Sequence, residues 1–95
     1  MDSIGAFCRR WRVRELCLFG SVLREDFGPD SDIDMLVTFQ DGADWSMWDQ
    51  IRMEEEMAAL LGRRTDLVSR KAVEESENYI RRRHILSTAQ RIYAA

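Results

Sequence analysis

Residues 16–37 read LCLFGSVLREDFGPDSDIDMLV, and the fold turns on how this stretch is divided. An apolar run, Leu16-Cys17-Leu18-Phe19, stops at Gly20-Ser21. A polar connection containing Gly28-Pro29 follows. Asp32 and Asp34 then stand one residue apart at the mouth of a second apolar run, Met35-Leu36-Val37. In a strand, alternate side chains share a face, so Asp32 and Asp34 project together while Ile33 points into a core. Two neighbouring carboxylates raise each other's proton affinity unless a cation lies between them. An all-oxygen pair of this kind suits Mg²⁺, which takes one or two carboxylates together with substrate phosphates. A strand that ends in Gly-Ser and then turns can offer N–H groups and a hydroxyl to a phosphate, and glycine permits both the turn and the close approach. A phosphate cradle beside a dicarboxylate describes phosphoryl or nucleotidyl transfer.

The flanks supply the rest of the fold. Ser3 is a candidate N-cap for a short helix over residues 3–11, with Ile4, Phe7, Cys8 and Trp11 as its apolar stripe. Residues 15–19 read as a first strand, covered on both faces, and residues 32–39 as a second. No long helix separates them, so they are expected to pair antiparallel. Ser46 and Asp49 form a capping-box pattern for a helix over residues 46–61, with Trp48, Ile51, Ala58 and Leu61 on its buried face, Met47 and Met57 beside it, and Glu54-Glu55-Glu56 turned to water. Gly62 suits the left-handed C-terminal position. Residues 63–68 read as a third strand, residues 70–78 as a helix, and residues 79–93 as a second helical stretch with Ile85, Leu86, Ala89, Ile92 and Tyr93 as its apolar side. The expected class is α+β: a small mixed or antiparallel sheet of three or four strands, with helices packed mainly on one face.

Composition narrows the options. The chain has 95 residues, which predicts a single domain over 1–95, and it is 45% hydrophobic and 33% charged, a balance that suits a folded rather than a disordered chain. A core this small gains from an oligomer or a permanent partner. No apolar run is long enough to cross a bilayer and the first residues carry no signal-peptide pattern, so a cytoplasmic location is the default expectation. The net charge of −3 argues against direct nucleic-acid binding. Two cysteines, Cys8 and Cys17, and a single histidine, His84, leave no basis for a zinc site or a Ser-His-Asp triad.

Gly20-Ser21, ten intervening residues and then Asp32-Ile33-Asp34 resemble the signature of the polymerase-beta-type nucleotidyltransferase superfamily. The wider text GSVLREDFGPDSDIDMLV is similar to its minimal nucleotidyltransferase (MNT) branch, and LLGRRTDLVS resembles the place where that family puts a third carboxylate, here Asp66. The likeness runs from about residue 14 to the end of the chain. It implies a polymerase-beta-like fold and a catalytic and metal-binding set of Asp32, Asp34 and Asp66. Two Mg²⁺ ions would be shared there, with Asp66 also able to act as general base. Gly20, Ser21 and Arg24 would bind the nucleotide, Arg24 because a guanidinium suits phosphate oxygens. Leu23 and Glu25 depart from the family's text, where small residues or glycine are usual.

The resemblance further implies AMP transfer from ATP to a tyrosine of a HEPN-type toxin, the MNT protein acting as antitoxin. The alternative is a binding subunit that masks its HEPN partner without chemistry. A small-molecule transferase is the third reading, set back because relatives of that kind carry an added acceptor domain. Arg9, Arg10, Arg12 and Arg14, and again Arg81-Arg82-Arg83, read as solvated basic faces, with an acidic partner surface as the functional option.

Overall fold

The computed structural model describes residues 3–20, 28 and 32–94. These run in the order α1 (Ser3–Arg10), β1 (Val13–Phe19), β2 (Ile33–Phe39), α2 (Met47–Leu61), β3 (Thr65–Ser69), α3 (Arg70–Glu74), α4 (Tyr79–Thr88) and β4 (Gln90–Ala94). The strands form one mixed sheet in the order β3-β2-β1-β4. β1 pairs antiparallel with β2 and with β4, whereas β2 and β3 are parallel, as the helical crossover through α2 requires.

Alternation sorts the side chains between two cores. Ile33, Met35 and Val37 of β2 turn to one face, where they meet Phe7 and Cys8 of α1, Met53 and Met57 of α2, Val13 and Leu16 of β1, and Leu67 of β3. Val13 and Leu16 differ in parity yet share this face, because a bulge between Val13 and Glu15 shifts the register. Leu36 looks the other way and packs with Cys17, Phe19, Val73 of α3 and Ile85 of α4. The α+β class and the mixed four-stranded sheet agree with expectation. The larger core lies under α1 and α2, and a second, smaller one closes the opposite face. Cys17 is buried there, and burial pushes its thiol pKa up, so it acts as a small apolar residue.

Three local expectations need correction. The stretch 79–93 is not helical throughout. Ala89 is extended at φ −61°, ψ 135°, and β4 follows, because the open edge of β1 offers a ladder that outweighs one more helical turn. Tyr93 then falls against the larger core, and Ile85, Leu86 and Ala89 against the smaller one. The helix expected over 70–78 ends at Glu74. The third correction concerns α2. Its N-terminus is the expected capping box: the Asp49 amide donates to Ser46 Oγ at 3.2 Å, and the Ser46 amide donates to Asp49 Oδ2 at 3.0 Å. Gly62 closes it at φ +71°. The buried face is nevertheless Met53 and Met57, while Met47 is 80% and Trp48 75% exposed.

The acidic run of α2 is likewise engaged rather than simply solvated. Glu56 accepts from Trp11 Nε1 at 3.2 Å and pairs with Arg10. Glu54 Oε2 accepts from the Leu67 amide at 2.9 Å, and Gln50 Nε2 donates to the Leu67 carbonyl, also at 2.9 Å. One turn of α2 thus satisfies both outward-facing groups of an edge residue that would otherwise be open to another strand.

The rotation of α2 is directly testable. Met57→Ala should cost about 2–5 kcal/mol in urea unfolding, as truncation of a fully buried methionine does. Met47→Ala should stay within about 0.5 kcal/mol of the parent. Equal costs would place the helix face where the sequence pattern first put it.

Candidate active site

β2 and β3 carry the acids to one end of the sheet. In the parallel register Ile33 stands beside Thr65, Asp34 beside Asp66, and Leu36 beside Val68. Asp34 and Asp66 therefore share the face opposite the larger core. The Ile33 amide donates to the Arg64 carbonyl at 3.0 Å, which continues the ladder past the end of the strands. Asp32, just before β2, lies in the ladder's extension, and its Oδ1 is 3.3 Å from Arg64 Nε. That pair is exposed and of little energetic weight.

β1 brings the glycine. Phe19 stands opposite Asp34 in the antiparallel register, so Gly20 follows directly alongside it. Gly20 has φ +76°, and a Cβ built there would lie 2.5 Å from Asp34 Oδ2. Only a residue without a side chain can turn the chain here and leave the carboxylate in place. Gly20, Asp32, Asp34 and Asp66 are thus brought to one place. Ser21 and Arg24, and the departures at Leu23 and Glu25, lie outside the described residues.

The electrostatics follow from the crowding. Asp34 holds its proton above the ordinary carboxylate range, first because it is partly desolvated and then because Asp66 and Asp32 are close, with Arg81 of α4 pulling the other way. Glu54 is also raised, chiefly by burial, the Leu67 amide opposing and the neighbouring Asp66 adding. Among the described residues no three acid, histidine or cysteine side chains lie close enough to make a ready-built metal cage. The donor set still fits Mg²⁺: it is all oxygen, and an adjacent pair such as Asp34 and Asp66 is what that ion takes when phosphates complete its shell.

Sequence reasoning missed three members of this neighbourhood. Arg64 stands two residues before Asp66 as Asp32 stands two before Asp34, so strand alternation alone could have paired them. Glu54 and Arg81 were hidden in runs of like charge, where spacing carries no signal about which member turns inward.

Residues 2–90 match the family of the nucleotidyltransferase domain. The chain belongs to that family. It is 42% identical to the protein adenylyltransferase MntA of Thermococcus cleftensis over 64 residues, which cover 67% of this chain and 63% of that protein. The chain thus matches under two thirds of the length of this curated relative. A solved structure named as a minimal nucleotidyltransferase is 31% identical with a TM-score of 0.70, over 93% of this chain and 84% of that one. A solved structure of a tri-AMPylated Shewanella oneidensis HEPN toxin in complex with MNT antitoxin gives a TM-score of 0.66 at 18% identity, over 99% of this chain and 69% of that one, a likeness of fold.

Two variants probe the packing of this nucleotidyltransferase domain at its acidic end. Gly20→Ala should destabilise by roughly 1–3 kcal/mol, from the left-handed backbone and the clash together. The cost should shrink in an Asp34→Ala background, which removes the clashing oxygen. Strict additivity in that double-mutant cycle would contradict the contact. The second variant follows from the proton balance. The folded chain holds the Asp34 proton more tightly than the unfolded chain, so ionisation opposes folding, and stability is lost as pH rises from the ordinary value of 3.8 through the raised one. Asp34→Asn should therefore melt a few degrees above the parent at pH 7. The gain should vanish in acid below the ordinary carboxylate range, as calorimetry at the two pH values would show.

Proposed function

We propose that this chain transfers AMP from ATP to a tyrosine hydroxyl of a HEPN-type partner protein, with Mg²⁺, two ions in the full reading, held by Asp32, Asp34 and Asp66. The observation that carries the reading is the seat of Gly20 against the Asp34 carboxylate, with Asp66 in register beside it. On this reading the phosphate-cradle end of β1 and the acids of β2 and β3 form one site. The relatives support the chemistry: one is named a protein adenylyltransferase, and another structure holds an AMPylated HEPN toxin with MNT antitoxin.

The residues divide the work. Mg²⁺, when bound, neutralises charge on the triphosphate and makes the acceptor hydroxyl more acidic. Gly20, with Ser21 and Arg24, cradles the phosphates through N–H, hydroxyl and guanidinium donors. Asp66 is exposed at the strand edge, so a large acceptor can reach it, and it takes the proton as the hydroxyl oxygen attacks the α-phosphorus. The bond from the α-phosphorus to its β-bridging oxygen breaks, and pyrophosphate leaves with that oxygen. A protein acceptor also suits the surface. Met47, Trp48 and Ile51 lie exposed together at the start of α2, an apolar group of the kind that marks protein contacts. The same surface would serve the second reading, in which the chain only masks its partner.

Mass spectrometry separates the two. The partner, incubated with this chain, ATP and Mg²⁺, should gain the mass of AMP, and the gain should fall at least about a thousandfold in rate in Asp32→Ala/Asp34→Ala. Full neutralisation of the partner by that double variant, with no mass gain from the parent, would establish masking instead.

A further inference from the structure

The run Arg81-Arg82-Arg83 opens α4, and its three members are not equivalent. Arg82 Nη1 donates to the carbonyls of Glu74 at 3.3 Å and Ser76 at 3.2 Å, and its guanidinium lies 5.4 Å from the Tyr79 ring centroid. Arg83 Nη1 donates to the Tyr79 hydroxyl at 3.4 Å. The Arg81 guanidinium has no such partner among the described residues. Its backbone amide alone is used, donating to Asn78 Oδ1 at 3.1 Å.

The placement of Arg81 follows from the packing of Ile85. Ile85 is buried with Leu36 and Phe19 on the α4 face of the sheet. Arg81 lies one helical turn before Ile85, on the same side of the helix, and Asp34 lies two residues before Leu36, on the same face of the strand. Both pairs thus belong to the face of the sheet that α4 covers. Arg81 also lines a cavity of about 120 Å³ with Val68, which stands two residues beyond Asp66 on that face, and with Ile85. Its charge is felt at Asp34. Among the described residues, Arg64 also lies at this end, and it is paired with Asp32.

We propose that Arg81 is a triphosphate-binding residue of this site, its guanidinium reserved for the β- and γ-phosphates that depart as pyrophosphate. The assignment rests on the nucleotidyltransferase reading above. A planar guanidinium with no hydrogen-bond partner among the described residues, on the side of the sheet that carries Asp34 and Asp66, has the fork to grip two phosphate oxygens at once. If Arg81 served only as counter-charge to Asp34, it would affect all nucleotides alike.

Titration calorimetry of the full chain with Mg²⁺ provides the test. Arg81→Ala should weaken binding of adenylyl imidodiphosphate by roughly ten- to a hundredfold, the scale of a charged hydrogen-bonding group. It should leave AMP binding within about twofold, since AMP lacks those phosphates. Arg81→Lys should fall between, keeping the charge and losing the fork. Melting should be unchanged, since the side chain is exposed. Parent-like affinity of Arg81→Ala for the triphosphate analogue, or equal losses for the analogue and AMP, would overturn the assignment and leave the nucleotidyltransferase reading intact. A parent chain that binds no nucleotide at all would overturn both.

Discussion

The parallel register that sets Asp34 beside Asp66 is the constraint on which the rest of the molecule depends. Like charges directly across a strand pair are destabilising, and here one of them is also partly desolvated. Nothing local favours this arrangement. It persists because the residues between the acids decide the register. Ile33, Met35 and Val37 must enter the larger core and Leu67 must join them, and a slip of one residue would send all of these to the wrong face. The hydrophobic pattern thus holds the carboxylates together against their own repulsion.

The remaining elements read as the means of keeping that register. α2 makes the crossover that parallel strands require, and through Met53 and Met57 it packs on the same face that Leu67 enters. Its Gln50 and Glu54 fasten the amide and carbonyl of Leu67, the residue after Asp66. The edge strand bearing the third acid is therefore held from both sides, by β2 through the ladder and by α2 through two side chains. On the opposite face, α3 and α4 close a smaller core below the acids. That layer leaves Asp66 exposed while lowering the solvation of Asp34, which is the main reason that Asp34 holds its proton more tightly than usual.

Much of this was legible in the sequence, and the limits are physical. Alternation at Asp32-Ile33-Asp34 is a local property, and it survived folding intact. So did the capping box at Ser46 and the left-handed Gly62, each set by the chemistry of a few adjacent residues. What failed depended on partners distant in the chain. The apolar residues of α2 cover more than one face, so periodicity could not say that Met53 and Met57 would be buried and Trp48 left outside. Gln90-Arg91-Ile92-Tyr93 carries a weak local preference, and the open edge of β1, some 70 residues earlier in the chain, decides it. Glu54 was read as solvated because three glutamates in a row present no contrast. Only the position of Leu67 distinguishes it from Glu55.

The glycine–diacid motif can be restated in the same terms. The number of residues between Gly20 and Asp34 is not what the proposed chemistry needs. What it needs is that Phe19 stand opposite Asp34, so that the next residue turns against the carboxylate with no side chain between them. A fixed count of residues in the sequence is therefore a proxy for one antiparallel pair. A different count could serve equally well if that pair were kept. The right count with the pair lost would leave glycine and acids present but apart. The downstream aspartate obeys the same logic through a parallel pair, which is why it can lie a whole helix away in the chain and still complete the group.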